Sequence, residues 1–330
     1  MIDTQTACDR AAQLVDYAKR AGADAGDAMA TASMSQTVSV RLGALEDADR
    51  SEDDGISLRV FVGNRSASVS GSDVSADAMA DMAERAVAMA RHAPEDPYAR
   101  IATPDELAQG PFADLDLTDD AAPSAETLRS RAQAVEDAAR AVSGVTNSEG
   151  GSAGTGRSVA AMATSTGFVA GYAATSHTMS ASVIAGEGAT MQRDHFARSA
   201  RHAADLPPAE DIGRHAGERT VARLNPAGVG SATLPVLFDP RVSPTLIGHL
   251  LSAMNGMAAA RRATFLLDRM DEPLFPDAIA IREEPHRPRG MRSRPFDGEG
   301  LATQPRALVE HSRATGWLTN LAAAAQLGIA

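Results

Sequence analysis

The sequence predicts an α+β fold, in which helices and antiparallel strands occupy separate runs of the chain. Helix-periodic segments flank a run of alternating strands near the N terminus, and short Ser-, Thr- and Ala-rich alternations fill residues 146–188. The pair Gly63-Asn64 stands between two apolar runs, which is typical of a β-hairpin turn. Because strands follow strands instead of alternating with helices, these features favour α+β over a doubly wound parallel sheet.

The first ninety or so residues predict the order helix, strands, helix. Apolar residues recur at helical spacing over residues 5–21. Alternating apolar side chains then predict strands within residues 36–43 and 54–73. Ser75 is a suitable N-cap for a second helix, which the spacing of its apolar residues extends to about Arg91.

The later elements follow a segment rich in proline and aspartate (residues 93–123), which predicts a surface loop. Ser124 caps a predicted helix that continues to about Val142, and residues 146–188 predict consecutive antiparallel strands. The remaining predicted elements are a helix over 208–223, a buried strand over 234–240 and a strongly apolar helix over 244–262.

Composition excludes several classes of protein. The 330 residues carry a formal net charge of -12, which disfavours a nucleic acid as a direct partner. A single cysteine excludes an intramolecular disulfide framework. The N terminus carries charges from its third residue and lacks an apolar signal region, and no apolar run approaches transmembrane length, so we expect a cytoplasmic protein without membrane contact.

The glycine-rich run GGSAGTGRS (150–158) matches two catalytic motifs in form only. Residues 151–158 have the spacing of a P-loop with Arg157 in place of the lysine, and Ser152 stands at the centre of a Gly-x-Ser-x-Gly pattern. Both motifs require a strand before them and a helix after them. Here a predicted helix precedes the run and a predicted strand follows it, so we predict a flexible loop without catalytic function.

A zinc hydrolase would need paired histidines and an acid on one helix face. His249 lies on the predicted apolar helix, but Leu250 follows it, and the next histidine is His286, beyond a loop. A lone histidine on an apolar helix is more often a hydrogen-bonded core side chain. A metallopeptidase with unusual ligands such as His249 and His286 is therefore the weakest of the alternatives.

The run PHRPRGMRSRPFDGEG (285–300) combines four arginines with three prolines and three glycines. The prolines exclude a helix, and Arg292 and Arg294 alternate, so that both would face the same way in an extended chain. Such a run can pin a strand through charge-assisted pairs or bind a substrate carboxylate. We predict a structured, non-helical element, with packing favoured over recognition.

Three further stretches carry a family resemblance together with this run: DGISLRVFVGNR (54–65), NSEG (147–150) and LPVLFDPRVSPTLIGHLLSAMNG (234–256). Along essentially the whole chain, the sequence resembles the PmbA branch, also called TldE, of the TldD/PmbA proteins. The resemblance implies an N-terminal α+β domain (residues 1–225) and a C-terminal, β-rich, barrel-like domain (226–330). It also implies that the second domain is incomplete, because family members continue with β structure beyond this point.

In functional terms, the resemblance implies a two-subunit metalloprotease in which a TldD-type partner carries an HExxxH helix and a zinc ion. This chain would be the non-catalytic subunit, without a metal site or cofactor of its own, in a complex that processes unfolded or leader peptides. Arg292, Arg294 and Asp297 are expected to contact peptide or to support the structure. His249 and Asn255 are second choices, since they lie on the helix that lines the partner's site.

One alternative from another class stays open at this point. A homodimeric peptide-binding or scaffold protein without proteolytic activity would share the same features. The presence of a companion with HExxxH in the same genome distinguishes the two hypotheses.

Overall fold

The structure, a computed structural model, describes residues 2–329. Its first two thirds consist of four helices and one antiparallel sheet, so the α+β prediction is confirmed. The elements in chain order are α1 Thr4–Arg20, β1 Ala25–Arg41, β2 Ala44–Val62, β3 Arg65–Gly71, α2 Ala76–His92, α3 Ala125–Arg140, β4 Val145–Thr164, β5 Val169–Ala185, β6 Gln192–Ala200 and α4 Ala209–Val221. The sheet has the order β3-β2-β1-β4-β5-β6, and its long strands curl into a half-barrel.

Local capping explains where the predicted helices begin. The side chains of Asp3, Ser75 and Ser124 accept hydrogen bonds from backbone N–H groups in the first turns of α1, α2 and α3. The predicted turn at Gly63-Asn64 joins β2 to β3, which confirms the hairpin. These elements are short-range features, and the sequence pattern located them correctly.

All four helices pack on one face of the sheet, in two separate cores. At one end, α1 and α2 bury Ala28 and Ala30 of β1 together with apolar residues near the C-terminal ends of β2 and β4. At the other end, α3 and α4 bury Val38 and Val40 of the same strand with the ends of β5 and β6. Burying these apolar side chains is the main term that stabilises the layered arrangement.

The prediction of a flexible loop over the glycine-rich run 150–158 is wrong, because the run is part of β4. Residues 151–163 pair with β1 and β5 on both sides. A Cβ atom at Gly151 would lie 2.3 Å from the carbonyl oxygen of Ala132, because α3 crosses the strand there. Gly151 therefore serves close packing of a helix on a strand, and not backbone mobility.

The C-terminal region, from residue 226, contains short elements around a small core. They are α5 Ser243–Ala253, α6 Gly256–Ala260, β7 Ile281–Glu283, β8 Arg306–Glu310, β9 Arg313–Ala314 and α7 Leu321–Leu327. The strands form a three-stranded sheet in the order β7-β8-β9. Leu250, Met254, Leu266 and Val309 are among the buried residues of this core.

Two predictions in this region are wrong. Residues 234–240 do not form a buried strand: the segment has no regular secondary structure and is largely exposed, with Leu237 98% accessible. A strand needs a neighbour for its backbone groups, and no segment within residues 2–329 pairs with it. The predicted helix over 244–262 is divided into α5 and α6, because Asn255 leaves the helical conformation and caps α6 through its side chain.

No helix within residues 2–329 is long and apolar enough to cross a membrane.

Candidate functional site

The face of the sheet away from the helices, here called the open face, presents small polar side chains. Residues directly opposite one another in a sheet share a face, so Thr37 of β1 lies beside Asp49 of β2 and Gly154 of β4. On the three central strands, its hydroxyl-bearing residues are Thr31, Ser33, Ser35, Thr37 and Ser39 of β1, Ser152 and Ser158 of β4, and Ser176, Thr178, Ser180 and Ser182 of β5.

Two glycines of β4, Gly154 and Gly156, leave the centre of this face without projecting side chains. A Cβ atom on Gly154 would lie 3.0 Å from Thr178 Oγ1 and 3.1 Å from Thr37 Oγ1, so a hydroxyl from each neighbouring strand flanks the glycine. Gly156 has the same relation to Ser176, at 3.0 Å. The open face is thus a shallow surface of hydroxyl groups, which both donate and accept hydrogen bonds.

An aromatic cluster closes one end of the open face. Phe296 lies 5.0 Å from Phe168, 5.4 Å from Phe112 and 5.7 Å from Tyr172, measured between ring centroids. Phe296 belongs to the run 285–300, Tyr172 to β5, Phe168 to the turn between β4 and β5, and Phe112 to the loop before α3. The run therefore docks on the sheet through an apolar anchor, and no helix forms in it, as predicted.

Beside this anchor, Asp27, Arg59 and Glu299 form a charged cluster. Arg59 Nη2 lies 2.7 Å from Asp27 Oδ2 and 3.6 Å from Glu299 Oε1. Burial raises the pKa of the Asp27 carboxyl above its ordinary value, against the opposing attraction of Arg59. The cluster lines a pocket of about 450 Å³ that Asp297, Gly298, Thr319 and Asn320 complete.

Asp297 and Glu299 also hold the backbone around this pocket. Asp297 Oδ1 accepts hydrogen bonds from the N–H groups of Glu299 (2.8 Å) and Leu301 (2.9 Å). Glu299 Oε2 accepts one from the N–H of Leu321 (2.9 Å), at the start of α7. The two carboxylates thus fix a turn of the run and a helix of the C-terminal region against the sheet.

The two predicted arginines of the run lie apart from this pocket. Arg292 lies in a turn and Arg294 follows it, and both are exposed. Neither side chain makes a hydrogen bond or an ion pair within the described part of the chain. Arg289, which the sequence did not single out, instead pairs with Asp116 and with Asp205 (3.0 Å).

The two predicted residues of the α5–α6 segment occupy the periphery. His249 is exposed on α5, in contrast to the core position that a lone histidine on an apolar helix suggested. Asn255 accepts a hydrogen bond from the N–H of Ala258 at 3.2 Å, and it bridges to Leu318. Leu318 precedes Thr319, so Asn255 approaches the charged pocket only through this backbone contact.

Models of one protein family match three consecutive parts of the chain. They are PmbA/TldA metallopeptidase domain 1 (residues 27–90), the central domain (118–224) and the C-terminal domain (231–330). Metalloprotease PmbA of Escherichia coli O157:H7 is 34% identical over 294 residues, which are 89% of this chain and 65% of that protein. A Metalloprotease PmbA homolog of Haemophilus influenzae is 30% identical over 96% of this chain and 70% of its own length.

The chain belongs to the PmbA/TldE family. The crystal structure of a putative modulator of DNA gyrase from Bacteroides thetaiotaomicron has the same fold, with a TM-score of 0.92 and 25% sequence identity. This chain is covered completely in that superposition, and the other chain to 75%. The chain thus spans about two thirds of the Escherichia coli relative and three quarters of the solved structure.

The metallopeptidase names of the family raise the question of a zinc site. A catalytic zinc ion takes three protein ligands and leaves one position for water. No group of three or more His, Cys, Asp or Glu side chains with metal-binding geometry occurs within residues 2–329. His249 is flanked by Gly248 and Leu250, so the described residues of this PmbA/TldE-family chain do not fit a zinc ion.

Sequence reasoning missed a second polar cluster in this PmbA/TldE-family chain, under the loop before α3. His177 of β5 is fully buried, and its Nε2 lies 3.2 Å from Asp119 Oδ2. Burial lowers the pKa of His177, although Asp119 opposes the shift. Nothing in the local sequence marks this pair, because its members are 58 positions apart and the fold alone brings them together.

Proposed function

We propose that this chain is a non-catalytic, PmbA/TldE-type subunit of a TldD-type zinc metallopeptidase, which processes unfolded or leader peptides in the cytoplasm. The observation that carries the proposal is the open face, a shallow hydroxyl-lined sheet surface with a charged pocket at one end. In this proposal the partner subunit supplies the zinc ion and its general base, and this chain supplies surface to hold the peptide.

The chemistry of the open face suits an extended polypeptide of variable sequence. Serine and threonine hydroxyls can bond to the peptide N–H and C=O groups, which are the same in every sequence. The glycines at positions 154 and 156 leave room for backbone to approach closely. Without an adjacent activating base, such hydroxyls bind a peptide but do not attack it.

The exposed arginines provide a second means of contact. Arg292 and Arg294 belong to the docked run and have no side-chain partner within the described residues, so they are available to a peptide carboxylate or to the partner subunit. Asp297 has the structural role described above. His249, on α5, and Asn255, at the N-cap of α6, are second choices for peptide contact in this proposal.

Reconstitution tests the proposal directly. Cleavage of an unfolded peptide is measured with this protein, with an HExxxH-bearing relative, and with both, and zinc is measured in each. Cleavage only by the mixture, with zinc bound only to the relative, supports the proposal. Chelator-sensitive cleavage by this protein alone contradicts it, and peptide binding without any cleavage in the mixture supports the homodimeric scaffold instead.

A pair of substitutions tests the role of the open face in the same assay. Ser35→Tyr places a ring on the open face, opposite Gly156, and Arg157→Tyr places the same ring at an exposed position on the other face. We expect Ser35→Tyr to raise KM for the peptide and Arg157→Tyr to leave it unchanged. Equal effects of the two substitutions would remove the open face from the proposal.

A further inference from the structure

The sheet has one long free edge, formed by the first part of β2. β2 spans 19 residues and pairs with β1 along almost its whole length, but β3 pairs only with residues 56–62. Residues 44–55, here called the free edge, have no second neighbour within residues 2–329. Elsewhere the loop before α3 covers part of the β5 edge, since Thr175 N–H donates to the carbonyl of Leu117 (2.9 Å).

The register identifies which backbone groups of the free edge point outward. The N–H of Ser165, just after β4, donates to the carbonyl of Gly26, so the backbone groups of Gly26 point toward β4. Because successive residues of a strand direct these groups to opposite sides, the even-numbered residues of β1 bond toward β4 and the odd-numbered ones toward β2. The pairing of β1 with β2 keeps one register from Ala25 to Ser39. The odd-numbered residues of β2 therefore bond to β1, and Ala48, Arg50 and Glu52 direct N–H and C=O groups outward.

The free edge carries a strong negative charge with an uneven arrangement. It contains Glu46, Asp47, Asp49, Glu52, Asp53 and Asp54 against one basic residue, Arg50. Each of the three acids at even positions has an arginine partner. Glu46 pairs with Arg41 (3.6 Å), Asp54 pairs with Arg10 (2.8 Å), and Glu52 pairs with Arg50. The three at odd positions lie on the open face and form no ion pair within the described residues.

This arrangement argues against a second copy of the chain as the occupant of the free edge. Natural edge strands avoid self-association by being short or by bearing proline, lysine or a bulge. The free edge has no proline or lysine. Its register shift lies at Glu46, opposite Ser39 and Val40, so residues 47–55 pair regularly and only their charge opposes self-association. Two such edges would bring their carboxylates together, whereas a basic strand would pair with the same groups.

We propose that the free edge of β2 binds a basic, extended polypeptide segment as an added β-strand. Its backbone bonds to the outward groups of Ala48, Arg50 and Glu52, and its lysine or arginine side chains, at alternate positions, face Asp47 and Asp49. These two aspartates are about 7 Å apart along the strand, which is also the spacing of alternate residues in the incoming segment.

A depression at the end of the free edge extends the same site. Where β3 stops at Gly71, a depression of about 480 Å³ opens beside β2, lined by Asp53, Gly55, Ser70 and Ser72. A strand added along the free edge would continue the line of β3 and reach this depression. Asp53, the third unpaired acid, then meets the end of the bound segment.

The inference goes beyond the proposed function and does not rest on it, because binding at the free edge needs neither zinc nor a second subunit. The test therefore uses the 330-residue chain alone, with a fluorescein-labelled peptide of alternating lysine and threonine as the probe. A peptide of alternating glutamate and threonine is the matched control. We expect anisotropy to report binding of the lysine peptide only, and weaker binding as salt is raised.

Two double substitutions separate specific pairing from general attraction. Asp47→Asn with Asp49→Asn removes two unpaired charges, and Glu46→Gln with Glu52→Gln removes two paired charges from the same strand. We expect the Asp47/Asp49 variant to raise the Kd for the lysine peptide about three- to tenfold, and the Glu46/Glu52 variant to raise it by no more than about twofold. Equal weakening would show non-specific electrostatic attraction and overturn the proposal.

Backbone pairing has its own test. Ala48→Pro removes one outward N–H, a change that edge strands tolerate because no ladder bond is lost. We expect an unchanged melting temperature and at least tenfold weaker peptide binding. Hydrogen exchange of the unsubstituted chain should show protection of the Arg50 and Glu52 amides by the peptide. Binding without that protection, or self-association of the chain through this edge in sedimentation, would overturn the proposal.

Discussion

Asp194 joins β6 to the segment that precedes α5, so its replacement tests how the C-terminal region is held on the sheet. The carboxylate is 8% exposed and accepts hydrogen bonds from Arg241 at 2.7 and 3.2 Å, and Arg223 lies 3.7 Å away. The hydrogen bond from Arg241 is the largest cause that lowers the pKa of Asp194 from 3.8 to about 2.

The direction of the pH dependence follows from this shift. Between about pH 2 and 3.8, the unfolded chain binds a proton at Asp194 that the folded chain does not. The stabilisation is therefore fully present above the unfolded pKa and is lost as the pH falls through the folded one. A shift of just under two pKa units corresponds to about 2.5 kcal/mol of folding free energy.

Asp194→Asn keeps the shape of the side chain and removes its charge. We expect a loss of about 2–3 kcal/mol at neutral pH, which shrinks as the pH approaches 3, measured by urea unfolding. Glu210→Gln, at an exposed and unpaired position of α4, is the matched control, with a change below about 0.5 kcal/mol. A loss for Asp194→Asn that is the same at every pH would refute the electrostatic account.

Three further predictions concern packing and burial. Gly151→Ala places Cβ 2.3 Å from the carbonyl of Ala132, so we expect a lower urea midpoint, whereas Gly228→Ala, with nothing within 4 Å, should leave it unchanged. Phe296→Ala empties the aromatic cluster and should cost about 3–5 kcal/mol in the same assay, with near-ultraviolet dichroism reporting release of the run from the sheet. Burial lowers the pKa of His177 below 6.5, so just below that pH the unfolded state binds more protons than the folded state. We therefore expect the free energy of unfolding to fall as the pH drops through 6.5. His177→Asn should make the urea midpoint depend less on pH in this range.

Local signals predicted much of the fold. Capping residues and apolar spacing located α1, α2 and α3, the pair Pro207-Pro208 indicated the start of α4, and the hairpin at residues 63–64 was found from its turn. The first halves of β1 and β2 were missed, because β1 alternates alanine with Met29, Thr31 and Ser33, and β2 carries acids on both faces. Such strands have weak apolar alternation, since one face is open to solvent and the free edge is exposed altogether.

The candidate site was less accessible to sequence reasoning. The run 285–300 was identified as a structured element from its prolines and arginines, and Asp297 lines the pocket that it helps to form. Arg59 and Asp27 were missed because they lie more than 230 positions from Glu299, and only the sheet register places them beside it. Ion-pair partners so far apart leave no local spacing to recognise.

The composition of β4 explains why the open face looked like a loop. Glycine at position 151 is required on the helix side, where α3 crosses the strand, and glycine at 154 and 156 lies on the open face, between hydroxyl groups. Each side thus removes side-chain bulk for a different reason: dense packing on one, access to backbone on the other. A strand that must be thin on both faces loses the apolar alternation by which strands are recognised. In this family member, the residues that make a strand hard to predict are therefore those that make the open face shallow.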